Sequence, residues 1–452
     1  MAKEIIIVGG GLAGLSAALE ALEHGLRPIV LEKSYALGGR ARSVFARDVK
    51  ETIDHGQHLL AASFEHTIWL LKKLNTLDYV RFQKRLFVHY VFPEGHSIPF
   101  RTWPFPPPFH FLIPLLLRRE IPWDEKGFLL KSGAKVFTQS ETRIESLTVP
   151  EWLRFPQSQT FLKRMLWEPL TLAILNTPLE QASALLLRNA FRIAFLNSSR
   201  LSGLGFPARP LQQIFGDPAK EFIQRHGGSV YLRTHIRRLV IEKNRVKAVI
   251  GPQGKVFETP AVILALPPDT LGVLLHPLAS HFPTLWQSLT SMRYSPIVTI
   301  NLWTRQPISH PFPMAFVDSP FHWLIALPWM KVQSGLYGYT VVSSAADDLA
   351  QQPVEAIMDG LNQELRKRLG LDLIRDLQCV KYKVIKEKRA TIRQTPEANA
   401  ARPSCVTPVT NLFLAGDWIQ TGLPATIESA VFSGRQAVKK ALHFMEHQSE
   451  TG

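Results

Sequence analysis

The sequence predicts an α/β protein in which a parallel-sheet domain is interleaved along the chain with a second domain of mixed α+β character. Three stretches carry this reading. The opening "EIIIVGGGLAGLSAALEALEHGLRPIVLEKS" reads as strand, glycine turn, helix and strand; near residue 206 the chain returns to this alternation and runs to the unbroken "AVILAL"; and "NLFLAGDWIQTGLPATIESAVFSGRQAVKKAL" closes with a buried strand and a helix. The expected division places residues 1–60, 206–271 and 381–446 in the parallel-sheet domain, and 61–205 and 272–380 in the other.

The first unit explains itself residue by residue. Ile5 to Val8 shows no polar alternation, as expected of a parallel strand buried on both faces. Leu12, Leu15, Leu19 and Leu22 recur at spacings of three and four, which marks one face of a helix that Gly25 terminates. Between them Gly9, Gly11 and Gly14 form GxGxxG, and Glu32 follows Gly14 by 18 residues at the end of the second strand. The first glycine allows a tight turn, the second lets backbone approach a pyrophosphate, and the third lets helix and strand pack closely. This is a Rossmann-like dinucleotide site. Glu32, placed to accept from a ribose 2′-hydroxyl, disfavours a 2′-phosphate and leaves NAD or FAD. A second loop, "LGGRARS", with Gly38, Gly39, Arg40 and Arg42, supplies the further diphosphate contact that a flavin dinucleotide needs, so FAD is the expected cofactor.

The stretch Ile53 to Leu60, "IDHGQHLL", sets polar groups in an apolar segment. As a strand it would place Asp54, Gly56 and His58 on one face and His55, Gln57 and Leu59 on the other. Residues 61–205 are mainly helical, apolar and rich in Trp and Phe. In the third block Asp217 is suited to cap a helix, with Pro218 in its first turn and Gly227 at its end. A helix is expected near 353–369, and the closing block places Gly416 and Asp417 before a helix that begins near Pro424.

With 452 residues, 46% hydrophobic and 20% charged, the chain is globular and large enough for two or three cores. Its formal charge of +15 calls for an anionic partner. The basic residues are scattered rather than set in a nucleic-acid module, so a membrane surface is expected and nucleic acid is not. "PPPFHFLIPLLLRR" reads either as domain core or as a membrane-facing lip ending in Arg118 and Arg119. Cys379 and Cys405 stand apart from each other and from any Cys/His group, which argues for a reducing compartment and no metal. No run approaches the ~18 apolar residues of a span. The expected location is cytoplasmic, at the inner face of the cytoplasmic membrane.

Together the GxGxxG with Glu32, the "GGR" loop, the "ILALPP" strand block and the terminal "AGDW" resemble the flavin amine oxidase and phytoene desaturase superfamily over nearly the whole chain. More narrowly, "DHGQHLL", "LNTPLEQASALLLRNAF" and "DWIQTGLPATIESAVFSG" are similar to the hydroxysqualene dehydroxylases of bacterial hopanoid synthesis. That branch usually has Asn where this chain has His55, which leaves any role of that position open. The resemblance implies that Gly38, Gly39 and Arg40 lie at the FAD diphosphate, the Ile236 backbone near the adenine, and Gly416 and Asp417 at the ribityl-diphosphate end. It implies reduction of hydroxysqualene to squalene by hydride. For the acid, His58 is the first candidate because histidine can be protonated near neutral pH, with Asp54 on the same strand face as its partner and Glu428, one turn into the closing helix, in reserve. The resemblance also implies upstream partners of the squalene/phytoene synthase-like kind. The alternatives are a carotenoid-type desaturase, an amine oxidase, and a prenyl-lipid escort protein on the same fold.

Overall fold

A computed structural model describes residues 3–155, 160–195, 202–330 and 335–450. Five parallel strands form the central sheet in the order Ser229–Tyr231, Arg27–Leu31, Glu4–Val8, Val262–Leu264 and Leu412–Leu414. Successive side chains of the Glu4–Val8 strand enter opposite cores. Ile5 and Ile7 pack under the helices Leu12–Glu23 and Ile427–Glu450, while Ile6 and Val8 pack against Leu271, Leu274 and Phe282 on the other face. That double burial is why the strand lacks a polar face.

The two helices on the first face touch backbone to side chain. A Cβ at Gly434 would lie 2.1 Å from the Ala13 carbonyl oxygen, so only glycine lets them approach this closely. Arg435 crosses the same seam to the buried Glu20 at 2.6 Å.

A second, seven-stranded sheet runs in the order Cys379–Ile392, Tyr294–Thr304, Tyr337–Ser344, Trp323–Ala326, Met314–Phe316, Phe87–Val91 and Ser97–Arg101. All its pairings are antiparallel except that of Met314–Phe316 with Phe87–Val91. Its outer face carries the helix Val354–Leu369, close to the expected 353–369. Its inner face turns toward a large aromatic cluster that includes Phe111, Trp167, Phe191 and Phe195.

Packing shifts parts of the expected domain division. The helix Glu65–Lys73 buries Leu70 and Leu71 in the core of the first parallel-sheet helix, and Pro268–Leu275 and Pro283–Ser291 cover the other face of that sheet. Residues 381–392 join the seven-stranded sheet, because a strand belongs where its ladder is made.

Two local expectations also change. The strand containing Asp54 is Glu51–Asp54 and ends there, so side chains 54–58 do not alternate across a sheet. Asp217 does not cap its helix: a π turn, Gln212–Gly216, leads into Asp217–Arg225, and the carboxylate instead accepts from Gln212 Nε2 at 2.7 Å. Gly227, with φ +87°, does end this helix.

Candidate functional site: a dinucleotide cradle beside an apolar wall

The nucleotide cradle forms where the two glycine loops meet. Gly38 N–H donates to the Gly10 carbonyl at 2.8 Å, and a Cβ on Gly39 would lie 3.0 Å from Gly11 Cα. Gly11 stands at the N-cap of Leu12–Glu23 with no side-chain cap, so the first-turn N–H groups point out of the helix. Bare backbone donors and a positive helix end suit a diphosphate.

Glu32 stands at the mouth of the cradle, nearly buried, with Oε2 accepting from Gly10 N at 2.6 Å and Oε1 from Ser34 N at 2.7 Å. Thr234 N donates to the Glu32 carbonyl at 2.8 Å, and this brings the turn that leads to Ile236 alongside it. Glu32 and Ile236, expected at the ribose and the adenine, thus sit together at one end. Replacing Glu32 by alanine is expected to weaken FAD binding by about 1.5–3 kcal/mol, read by titrating apoprotein with FAD and following flavin fluorescence.

At the other end Arg40 donates to Asp417 Oδ1 at 2.6 Å and to the Ala390 carbonyl at 2.5 Å. The second glycine loop and the "AGDW" loop are therefore pinned by one ion pair. Gly416 N donates to Ser433 Oγ at 2.9 Å, which fastens this loop to the closing helix; that helix begins at Ile427, three residues beyond Pro424.

Sequence reasoning missed Arg402. Its guanidinium is buried and donates to the carbonyls of Asp417, Trp418 and Leu423, holding the loop from behind. Burial lowers it to about 10 against the pull of Asp417, so it remains charged at neutral pH. A lone arginine 15 residues from Asp417 carries no sequence signal.

The three acid candidates have different surroundings. Asp54 is buried, and its Oδ1 accepts from Ser43 Oγ at 2.6 Å and Leu211 N at 2.9 Å, while Oδ2 is without a partner. Burial pushes it up to about 6, against the two hydrogen bonds. His58 does not meet Asp54; its Nδ1 lies 2.7 Å from the Gly56 carbonyl and so carries the proton. Burial, with repulsion from Arg40 and His55, pushes His58 down to about 4. A histidine so depressed is neutral near pH 7. Glu428 is occupied elsewhere: its two oxygens take the N–H groups of His66 and Thr67 and the Thr67 hydroxyl at 2.7–2.8 Å, capping the helix Glu65–Lys73.

Arg42 Nε and Gln57 Nε2 are also buried and without partners. With the bare glycine loops, these groups fit a bound polar molecule such as FAD. No group of three His, Cys, Asp or Glu among the described residues is arranged to hold a metal ion.

Comparison with known proteins places this geometry. A hydroxysqualene dehydroxylase of Sinorhizobium fredii is 29% identical over 470 residues, covering 98% of this chain and 99% of its own. Another, of Zymomonas mobilis subsp. mobilis, is 28% identical over 448 residues, covering 96% and 98%. The fold is shared with a putrescine oxidase redesigned in its cofactor binding, at a TM-score of 0.73 and 15% identity, covering 98% of this chain and 99% of that one. Residues 12–442 match the flavin containing amine oxidoreductase family. With its cradle, its Arg40–Asp417 clasp and this match over nearly its whole length, the chain belongs to the flavin containing amine oxidoreductase family and is an FAD-dependent oxidoreductase.

Proposed function

We propose that this enzyme reduces hydroxysqualene to squalene and water, with Asp54 as the proton donor. The observation that carries the role of Asp54 is its buried carboxyl, raised to about 6 with one oxygen unpaired. The names of the full-length relatives supply the substrate class. Hydroxide is a poor leaving group, so the departing oxygen must receive a proton as the allylic C–O bond breaks. In this reading Asp54 Oδ2, which has no partner, gives it, while Ser43 and Leu211 hold Oδ1 and fix the carboxyl plane. The aromatic cluster keeps bulk water from the surroundings. FAD, when bound and reduced, supplies the hydride that completes the exchange of C–O for C–H.

The test is anaerobic. Photoreduced holoenzyme mixed with hydroxysqualene is expected to yield squalene as the flavin reoxidises. No squalene, together with oxidation of an amine or desaturation of a polyene, overturns the reading in favour of an amine oxidase or a phytoene-type desaturase.

Peripheral attachment to an anionic membrane is part of the same proposal. Trp123 is 85% exposed, Leu117 63% and Phe109 53%, on two successive helices, Phe109–Leu116 and Trp123–Thr138, and their flanks. Arg119, Lys126 and Lys131 belong to the same stretch, and Lys126 Nζ stands 4.5 Å over the Trp123 ring. This favours the lip reading for its exposed residues, while Phe111 and Leu115 serve as core. No helix among the described residues is long and apolar enough to cross a membrane. At the inner face of the cytoplasmic membrane the enzyme would receive substrate from squalene/phytoene synthase-like enzymes. Flotation with anionic vesicles at low salt is expected to recover the protein, and neutral vesicles or a Trp123→Glu/Leu117→Glu variant to recover little. Equal recovery in all arms removes this face and its charge from the account.

A further inference from the structure

The inner face of the seven-stranded sheet holds hydrogen-bonding groups that the protein leaves unused. Val298, Ile300 and Leu302 face the outer core, so Thr299, Asn301 and Trp303 face inward. Asn301 pairs across the ladder with Thr340, and Trp323 pairs with Val342, two residues along the same face. Asn301 Nδ2, Thr340 Oγ1, Trp303 Nε1 and Trp323 Nε1 are all buried and without hydrogen-bond partners. Cross-strand neighbours lie about 5 Å apart and same-face neighbours along a strand about 7 Å, so the four form one patch. Ile325, Ala315 and Val317 surround it with hydrocarbon.

Leaving one such group unpaired costs about 1–3 kcal/mol, so a cluster of four calls for a guest. The polarity of the patch selects that guest. Three of the atoms are N–H donors with no acceptor capacity, and the fourth is a hydroxyl that can turn its hydrogen outward. They suit an oxygen that accepts. The two lysines on this face are already engaged, Lys381 with Glu51 at 2.5 Å and Lys383 with Asp48 at 2.5 Å, so the patch offers dipoles rather than free charge. A neutral alcohol offers such an oxygen.

The same ion pairs, with His55–Glu387 at 3.0 Å, strap the 43–54 hairpin and its following loop along the edge strand Cys379–Ile392. The strap puts the patch and the Asp54 loop against one sheet. We infer that Asn301 and Thr340, flanked by Trp303 and Trp323, seat the hydroxyl oxygen of an otherwise hydrocarbon alcohol. This deepens the dehydroxylation reading and rests on it. The seat holds the oxygen before the C–O bond breaks and retains the water formed afterwards.

The test uses holoenzyme carrying Asn301→Leu and Thr340→Val, near-isosteric changes that remove the two central donors. Binding of hydroxysqualene and of squalene is read from the change each causes in the flavin absorbance, alongside the unfolding midpoint. Wild type is expected to favour hydroxysqualene over squalene about tenfold or more, the yield of one or two net hydrogen bonds. The double variant is expected to bind both alike, with squalene affinity unchanged and a midpoint no lower than wild type. Should the double variant fail to accumulate, Thr340→Val alone reads the same selective loss at smaller size. Retention of the wild-type preference overturns the seat, as does an equal loss of affinity for both ligands, which marks a packing role. A wild type that shows no preference and forms no squalene overturns the dehydroxylation reading itself, and the seat with it.

Discussion

Asp54→Asn is expected to slow single-turnover formation of squalene by about 10² to 10⁴ while FAD stays bound. The amide oxygen can still accept from Ser43 and Leu211, so the local fold is kept and only the transferable proton is lost. The pH profile is the sharper readout. A donor with its midpoint near 6 is active below that value, so the wild-type rate should fall as pH rises through about 6, and the variant should show no such step. Stability should fall over the same range. The carboxyl is raised from 3.8 to about 6 on folding, so its favourable contribution is complete below 3.8 and is lost as pH rises through about 6. Its buried charge then costs wild type roughly 3 kcal/mol at pH 8. The variant should therefore unfold at higher denaturant than wild type at pH 8 and show no such gain at pH 4. A folded variant that forms squalene at the wild-type rate, or keeps the step near pH 6, would rule out the proton-donor role.

Gly14→Ala should be harsher still, because it acts on the cradle. The new methyl would lie 1.9 Å from the Gly9 carbonyl oxygen and 3.3 Å from Ala265 Cβ, inside the seam between first strand and first helix. Backbone cannot yield as a flexible side chain does, so the helix must lift, taking its N-terminal donors away from the diphosphate. Overpacking of this kind costs about 1–3 kcal/mol or more, and the protein is expected to purify without flavin absorbance. Gly272→Ala is the control. It sits in a helix with nothing within 4 Å of a new Cβ and should keep its flavin, with stability unchanged or slightly raised.

The cradle was legible because its requirements are local. Gly9, Gly11 and Gly14 stand within six residues, and the leucine period and apolar strand beside them admit one reading. Arg40 and Asp417 were placed through resemblance to a family, and their 2.6 Å contact spans 377 residues. The 54–58 loop was harder. Its composition suggested function, but face alternation was the wrong geometry once the strand stopped at Asp54. Which of two polar residues holds a proton depends on burial and on partners such as Leu211, 157 residues away, and no short-range pattern encodes either. Arg402, Asn301 and Thr340 escaped for the same reason. In the sequence they are an ordinary arginine and two ordinary strand residues; their significance lies in which atoms the fold satisfies and which it does not.

The contact of Gly434 with Ala13, and of Arg435 with Glu20 across 415 residues, has a consequence in time. At about 5–20 residues per second a ribosome needs roughly 20–80 s to make the intervening chain. Throughout that interval the first strand and helix are complete but lack the closing helix, and the central sheet lacks its edge strand Leu412–Leu414. Ile5, Ile7 and Leu15 then face solvent or a chaperone rather than a core. Cofactor capture waits with them, since Asp417 reaches Arg40 of the second glycine loop only when synthesis is almost over. The first residues made are among the last to find their final neighbours, and the flavin enters a nearly finished protein.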